Sequence, residues 1–212
     1  MTALITPEDI AAHFTQPDGS YRFARWGRPL APIVFGVEEE TLPIVKGAIE
    51  AVAALAGQEV VETDPELGAN LMVFFFRDWQ ELTGVPNLDR LLPGLGPLVD
   101  RLDAAEATQY RAFRFDEAGA IRACFVFIRM AGDMLDLPAE TLALGQAVQA
   151  ILLWSEGAFA SRSPLGRLEN GNVILRPEIA MLIRAGYDPV LPAVAEDATH
   201  ALRLFARVEA SR

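Results

Sequence analysis

The stretch Asn70-Leu71-Met72-Val73-Phe74-Phe75-Phe76 constrains the fold more than any other part of the chain. A strand turns alternate side chains to opposite faces, and here both sets are apolar. Such a strand belongs at the centre of a sheet, where neither face meets water. A second short buried strand is expected at Pro32-Ile33-Val34-Phe35-Gly36-Val37, and the alternating Tyr21–Trp26 segment reads as an exposed or edge strand. Glu59–Glu62 reads as a further strand. Tyr110–Phe115 and Ile121–Met130, joined by Asp116-Glu117-Ala118-Gly119, read as a β-hairpin.

Helices are marked by spacing and punctuation. Thr6-Pro7-Glu8-Asp9 combines a capping hydroxyl, a proline at N1 and acids in the first turn. Leu42, Val45, Ile49, Val52 and Ala56 step by three and four residues, with Thr41 before them and Gly57 placed to end the helix. Residues 77–106 read as helix broken at Pro86, Pro93 and Pro97. Beyond residue 130 the chain reads as helical: Pro138–Ser155, a loop at 156–172, a helix opened by Arg176-Pro177-Glu178, and a last helix striped by Val194, Ala198, Ala201, Leu202 and Phe205. The expected fold is therefore α+β in one domain, residues 1–212. A mixed sheet of about four to five strands occupies the sheet-rich part, 1–130, and helices dominate 131–212.

Charge and composition exclude some functions. A hydrophobic share of 51% and a charged share of 22% describe a globular chain. The net charge of −11 disfavours nucleic acid and anionic membrane surfaces as partners. No apolar run approaches the roughly 20 residues that cross a bilayer, and the N-terminus lacks the pattern of a signal peptide, so a cytoplasmic setting is expected. Cys124 is the single cysteine, which rules out an internal disulfide; its apolar surroundings mark it as a buried small hydrophobe.

Candidate chemistry is sparse. The only histidines are His13 and His200, so a histidine-based metal site requires the chain ends to converge. His200 follows Asp197 by three residues, and Ser155, Ser161 and Ser163 are the serines weighed for a triad; an Asp–His pair on the polar side of the last helix is the simpler reading. Glu62, Asp64 and Glu66 read as a solvated turn. Arg25, Trp26 and Arg28 interleave charge with aromatic surface and are weak binding candidates for an anionic ligand or acidic segment. No phosphate-cradling glycine motif or calcium loop is present, and no cofactor is expected.

Three segments carry a resemblance: Tyr21-Arg22-Phe23-Ala24-Arg25 leading to Pro32–Gly36, then Ala69-Asn70-Leu71-Met72-Val73, then Val173–Glu178 running to Ala185-Gly186-Tyr187-Asp188-Pro189. Together they resemble the bacterial family domain of unknown function 2927, which is similar in topology to zincin-type metalloproteases. The resemblance implies that the helix following the sheet occupies the place where a zincin carries His-Glu-x-x-His. Gly145-Gln146-Ala147-Val148-Gln149 stand there in this chain. Gly145 has no side chain, Gln146 is no base, and Gln149 is a poor zinc ligand beside imidazole. The implied protein is a catalytically inactive zincin-like domain acting as a binding module that holds a peptide or protein partner by strand addition. The alternatives are a hydrolase using carboxylates or a loosely held divalent metal, and a structural homo-oligomer sealed by Trp79, Trp154 and the Phe-rich segments.

Overall fold

The computed structural model describes residues 5–211; residues 1–4, part of the N-terminal stretch considered above, and residue 212 lie outside the described residues. The chain runs through α1 (Pro7–Phe14), β1 (Phe23–Ala24), β2 (Pro32–Phe35), α2 (Leu42–Ala56), β3 (Leu71–Phe76), a 3-10 helix (Trp79–Gly84), α3 (Leu88–Leu91), α4 (Leu95–Ala104), β4 (Gln109–Phe115) and β5 (Ile121–Arg129). A second 3-10 turn (Gly132–Asp136) leads into α5 (Ala139–Ile151), β6 (Leu165–Arg167), β7 (Val173–Leu175), α6 (Pro177–Gly186), β8 (Val194–Ala195) and α7 (His200–Ala210). No helix among the described residues is long and apolar enough to cross a membrane.

The α+β expectation holds, and β3 lies inside the main sheet. That sheet has the order β2-β3-β5-β4, with β2, β3 and β5 parallel and β4 antiparallel to β5. The two faces of β3 go to separate cores. Leu71 and Val73 join a core built with α2 and α5, through Val45, Ile49, Ala147 and Val148. Phe74 and Phe76 join a second core with Trp79, Leu88, Leu95 and Val99 from the 77–104 segment. Stacked rings of Phe35, Phe74 and Phe127, at centroid spacings of 4.9 and 5.2 Å, continue that second face across three strands.

Local signals explain much of this. Thr6 and Asp9 form a reciprocal capping box at α1, and Gly57, with φ +67°, ends α2 in the left-handed conformation its missing Cβ permits. Gly36 turns the chain out of β2 at φ +79°. A Cβ there would lie 1.9 Å from the Phe75 carbonyl oxygen, so only glycine lets the two backbones approach.

Several expectations are corrected. Tyr21–Trp26 is not an exposed edge strand: Tyr21, Phe23, Ala24 and Trp26 are buried, Phe23–Ala24 pair with β8, and Tyr21, Arg25 and Trp26 make single bridges to Thr15, Leu152 and Ile121. Glu59–Glu62 contributes one bridge, Val60 to Leu30, instead of a strand. The 156–172 loop contains β6, which pairs with β7 as a hairpin. Pro97 sits within the first turn of α4 and does not break it, because the first helical N–H groups need no intrahelical acceptor. The last helix starts at His200, and its buried face is His200, Ala201, Leu204 and Val208; Val194 belongs to β8 and Leu202 is 57% exposed.

Candidate functional site

The positions to which the resemblance assigned a metal motif lie on α5, beneath the edge strand β4. Gln146 is buried, and both ends of its amide are engaged. Its Oε1 accepts from Arg111 Nη2 at 2.6 Å, and its Nε2 donates to Gln109 Oε1 at 3.1 Å. Arg111 Nη2 also donates to Gln109 Oε1 at 2.8 Å, which closes a triangle between β4 and α5. Burial lowers the Arg111 guanidinium to about 10, opposed by the neighbouring Cys124, and its Nε is buried without a hydrogen bond. Burial pushes the Cys124 thiol up to about 12, so it stays protonated and unreactive at neutral pH.

The other two positions offer little. Gln149 Nε2 turns back to the Gly145 carbonyl at 3.3 Å, and a side chain at Gly145 would meet Leu165 of β6 at 3.7 Å. Among the described residues, no group of three or more His, Cys, Asp or Glu is arranged to hold a metal ion.

Above this helix, the outer edge of β4 has no strand partner among the described residues. The direction of its backbone follows from one bond. Arg129 N–H donates to the Thr108 carbonyl at 2.8 Å, so Thr108 faces β5. Counting by twos along an antiparallel ladder, Tyr110 and Ala112 also face β5, and Gln109, Arg111 and Phe113 turn their N–H and C=O groups outward. Those same three residues direct their side chains to the α5 face of the sheet.

The interleaved candidates near the N-terminus are occupied by the fold. Arg25 donates to the Tyr187 and Leu191 carbonyls at 3.3 Å each and lies over the Tyr187 ring. Trp26 is buried, with Nε1 donating to the Ala150 carbonyl at 2.9 Å. Arg28 pairs with Asp64 at 3.2 Å and with Glu66 at 3.0 Å, and Glu66 also pairs with Arg122. Asp64 is not part of a solvated turn; it is 3% exposed. Burial pushes its carboxyl up, but the Leu67 and Glu66 amides, Asn70 and Arg28 outweigh burial and hold it down to about 2.

The two ends of the chain do converge, through packing of α1 on α7, yet the histidines face different surroundings. His200 is buried, stacked on Phe23 at 4.5 Å, with Nδ1 3.5 Å from the Tyr21 hydroxyl and Nε2 without a partner. It is not the surface member of an Asp–His pair, because α7 starts at His200 and turns His200, Ala201, Leu204 and Val208 into the core. Burial and Arg203 lower its pKa below the usual histidine value, with Asp197 opposing. The unfolded chain therefore takes up this proton first, and stability is expected to fall as pH drops below about 6.5 toward the folded-state pKa. In His200→Phe, which keeps the stacking on Phe23, that part of the decline should vanish; denaturant midpoints between pH 7.5 and 5 measure it.

Sequence reasoning missed a cleft of about 310 Å³ between α1, the loop before β6 and the start of α6. His13, Arg162, Arg176 and Glu178 line it, together with Ser161, Ser163 and apolar side chains including Phe159 and Ile179. Only the paired Arg176 and Glu178 flanking Pro177 hinted at it, and they read equally as a helix start. No family model, curated protein or solved structure matches the chain.

Proposed function

We propose that the chain is a non-catalytic binding module on a zincin-like scaffold, and that it holds an extended peptide as an added strand on the outer edge of β4. The reading rests chiefly on that edge: among the described residues, Gln109 and Arg111 present outward N–H and C=O groups and Phe113 an outward N–H, its carbonyl being met by Arg114 Nη1, along a strand of seven residues that pairs on one side only. An added strand gains main-chain hydrogen bonds, and side chains pointing toward α5 select its sequence. The floor below is polar but chemically quiet, because the Gln109–Arg111–Gln146 triangle holds amides where hydrolysis needs a base.

The dimer alternative loses its two tryptophan anchors. Trp79 and Trp154 are buried inside their own chain, where they cannot also seal a second copy.

Peptides selected from a random displayed library test the proposal by amide NMR. The expected result is a block of shifts at Gln109, Arg111 and Phe113, with binding weakened about fivefold in Gln109→Pro, which removes one outward donor worth about 1 kcal/mol. Shifts confined to another surface would overturn the edge assignment. Zinc-dependent cleavage of a peptide, abolished by Gln149→Ala, would overturn the non-catalytic half.

A further inference from the structure

The cleft between α1 and α6 lies outside the proposed peptide edge and has a chemistry of its own. Its charged groups differ in how far the fold already uses them. Asp9 is committed, since its Oδ2 accepts from the Thr6 amide at 2.9 Å in the capping box. Arg176 spends Nε on the Ser163 carbonyl at 2.9 Å, which anchors the guanidinium and leaves its two terminal nitrogens for another partner. Glu178 is 6% exposed, and its Oε1 is buried without a hydrogen bond. That oxygen lies 3.0 Å from Arg162 Nη2, but the guanidinium N–H bonds are not aimed at it, so the contact is an ion pair without a directed bond. Arg162 balances the charge of Glu178, while the buried oxygen still lacks a directed donor.

His13 adds an acceptor. Its Nδ1 lies 2.6 Å from the Asp9 carbonyl oxygen, which can only accept, so Nδ1 carries the proton and a neutral ring keeps its lone pair on Nε2. The ring is held edge-on against Trp154 and Phe159, at centroid distances of 5.8 and 5.6 Å.

These groups select by charge. A purely anionic ligand would set its charge against Glu178, and a purely cationic one would meet Arg162 and Arg176. A small molecule that carries both signs matches each. A volume near the lower end of the roughly 300–1,000 Å³ range of ligand pockets calls for a small one. We infer that this cleft binds a free α-amino acid with an apolar side chain. Its carboxylate lies against the terminal nitrogens of Arg176, its ammonium donates to Glu178 and His13 Nε2, and its side chain rests on Phe159 and Ile179. Arginine suits the first role because its planar fork matches a carboxylate with two parallel hydrogen bonds.

Calorimetric titration of the full chain with L-leucine and L-phenylalanine is the test, beside N-acetyl-L-phenylalanine, which lacks the ammonium, and phenethylamine, which lacks the carboxylate. Saturable one-site binding of at least one amino acid is expected, with both analogues of phenylalanine weaker by tenfold or more. Arg176→Gln should weaken binding by a similar factor while leaving the unfolding midpoint near that of the parent. Glu178→Gln should do the same if it folds, and Arg176→Gln alone decides if it does not. The inference is overturned if neither amino acid binds, if either truncated analogue binds as tightly as phenylalanine, or if Arg176→Gln binds normally. None of these outcomes touches the edge of β4, so the peptide proposal stands or falls separately.

Discussion

Asn70→Ala is expected to cost about 3–5 kcal/mol, because it strips three partners at once, two of them from groups with no water to turn to. Asn70 is fully buried at the start of β3. Its Oδ1 accepts from the Ala31 amide at 2.8 Å, and its Nδ2 donates to the Pro29 carbonyl and to Asp64 Oδ2, each at 2.9 Å. Truncation leaves the buried Ala31 amide and the part-buried Pro29 carbonyl unpaired and removes a donor from a carboxylate that is 3% exposed. The same side chain ties the entry of β2 to the entry of β3, so the parallel pair loses its alignment with the 64–68 turn. Urea denaturation should show a lower midpoint at nearly unchanged slope. A loss below about 1 kcal/mol would mean that Arg28 and the Asp64 turn carry the network without Asn70. Asp64 adds an acid limit. Its folded-state pKa is depressed to about 2, so its contribution is complete above the unfolded value of 3.8 and is lost as pH falls toward 2.

Trp79→Ala should be comparably severe, about 3–5 kcal/mol, for a different reason. Trp79 has no exposed surface, packs its ring 4.9 Å from Phe76, and donates from Nε1 to the Ala107 carbonyl at 2.7 Å. It therefore joins the end of β3 to the residue two positions before β4. The alanine variant opens a cavity in the second core and frees the approach to the edge strand. Trp79→Phe separates the two effects: it keeps most of the packing and orphans the Ala107 carbonyl, for a smaller cost of about 1–3 kcal/mol. Denaturant midpoints rank the variants, and hydrogen exchange at Tyr110 and Ala112 should quicken in Trp79→Ala if β4 is held through this contact. Equal midpoints for the two variants would assign the whole effect to the hydrogen bond.

Most of the regular structure was legible because its signals are local. The 70–76 run declared a central strand, Thr6 and Asp9 declared a cap, and Gly119 marked the 110–130 hairpin. What failed were segments whose state depends on a partner far away in sequence. The Tyr21–Trp26 aromatics looked like one face of an edge strand, yet α5, α6 and α7 bury them from several sides. His200 looked polar beside a stripe through Ala198, Leu202 and Phe205, but the buried face of α7 runs through His200, Ala201, Leu204 and Val208.

The sequence by itself determined the α+β class, the two-faced strand at the sheet centre, the buried thiol, and the absence of imidazole or carboxylate at Gly145, Gln146 and Gln149. Each of these follows from residue type and spacing within a few positions. Tertiary structure alone decided that Gln146 is locked to Arg111 and Gln109, that Arg25, Trp26 and Arg28 serve the fold, and that His13, Arg162, Arg176 and Glu178 share one cleft. These depend on contacts between residues tens to more than a hundred positions apart, and nothing in the spacing of single residues encodes which distant side chain will come within 3 Å.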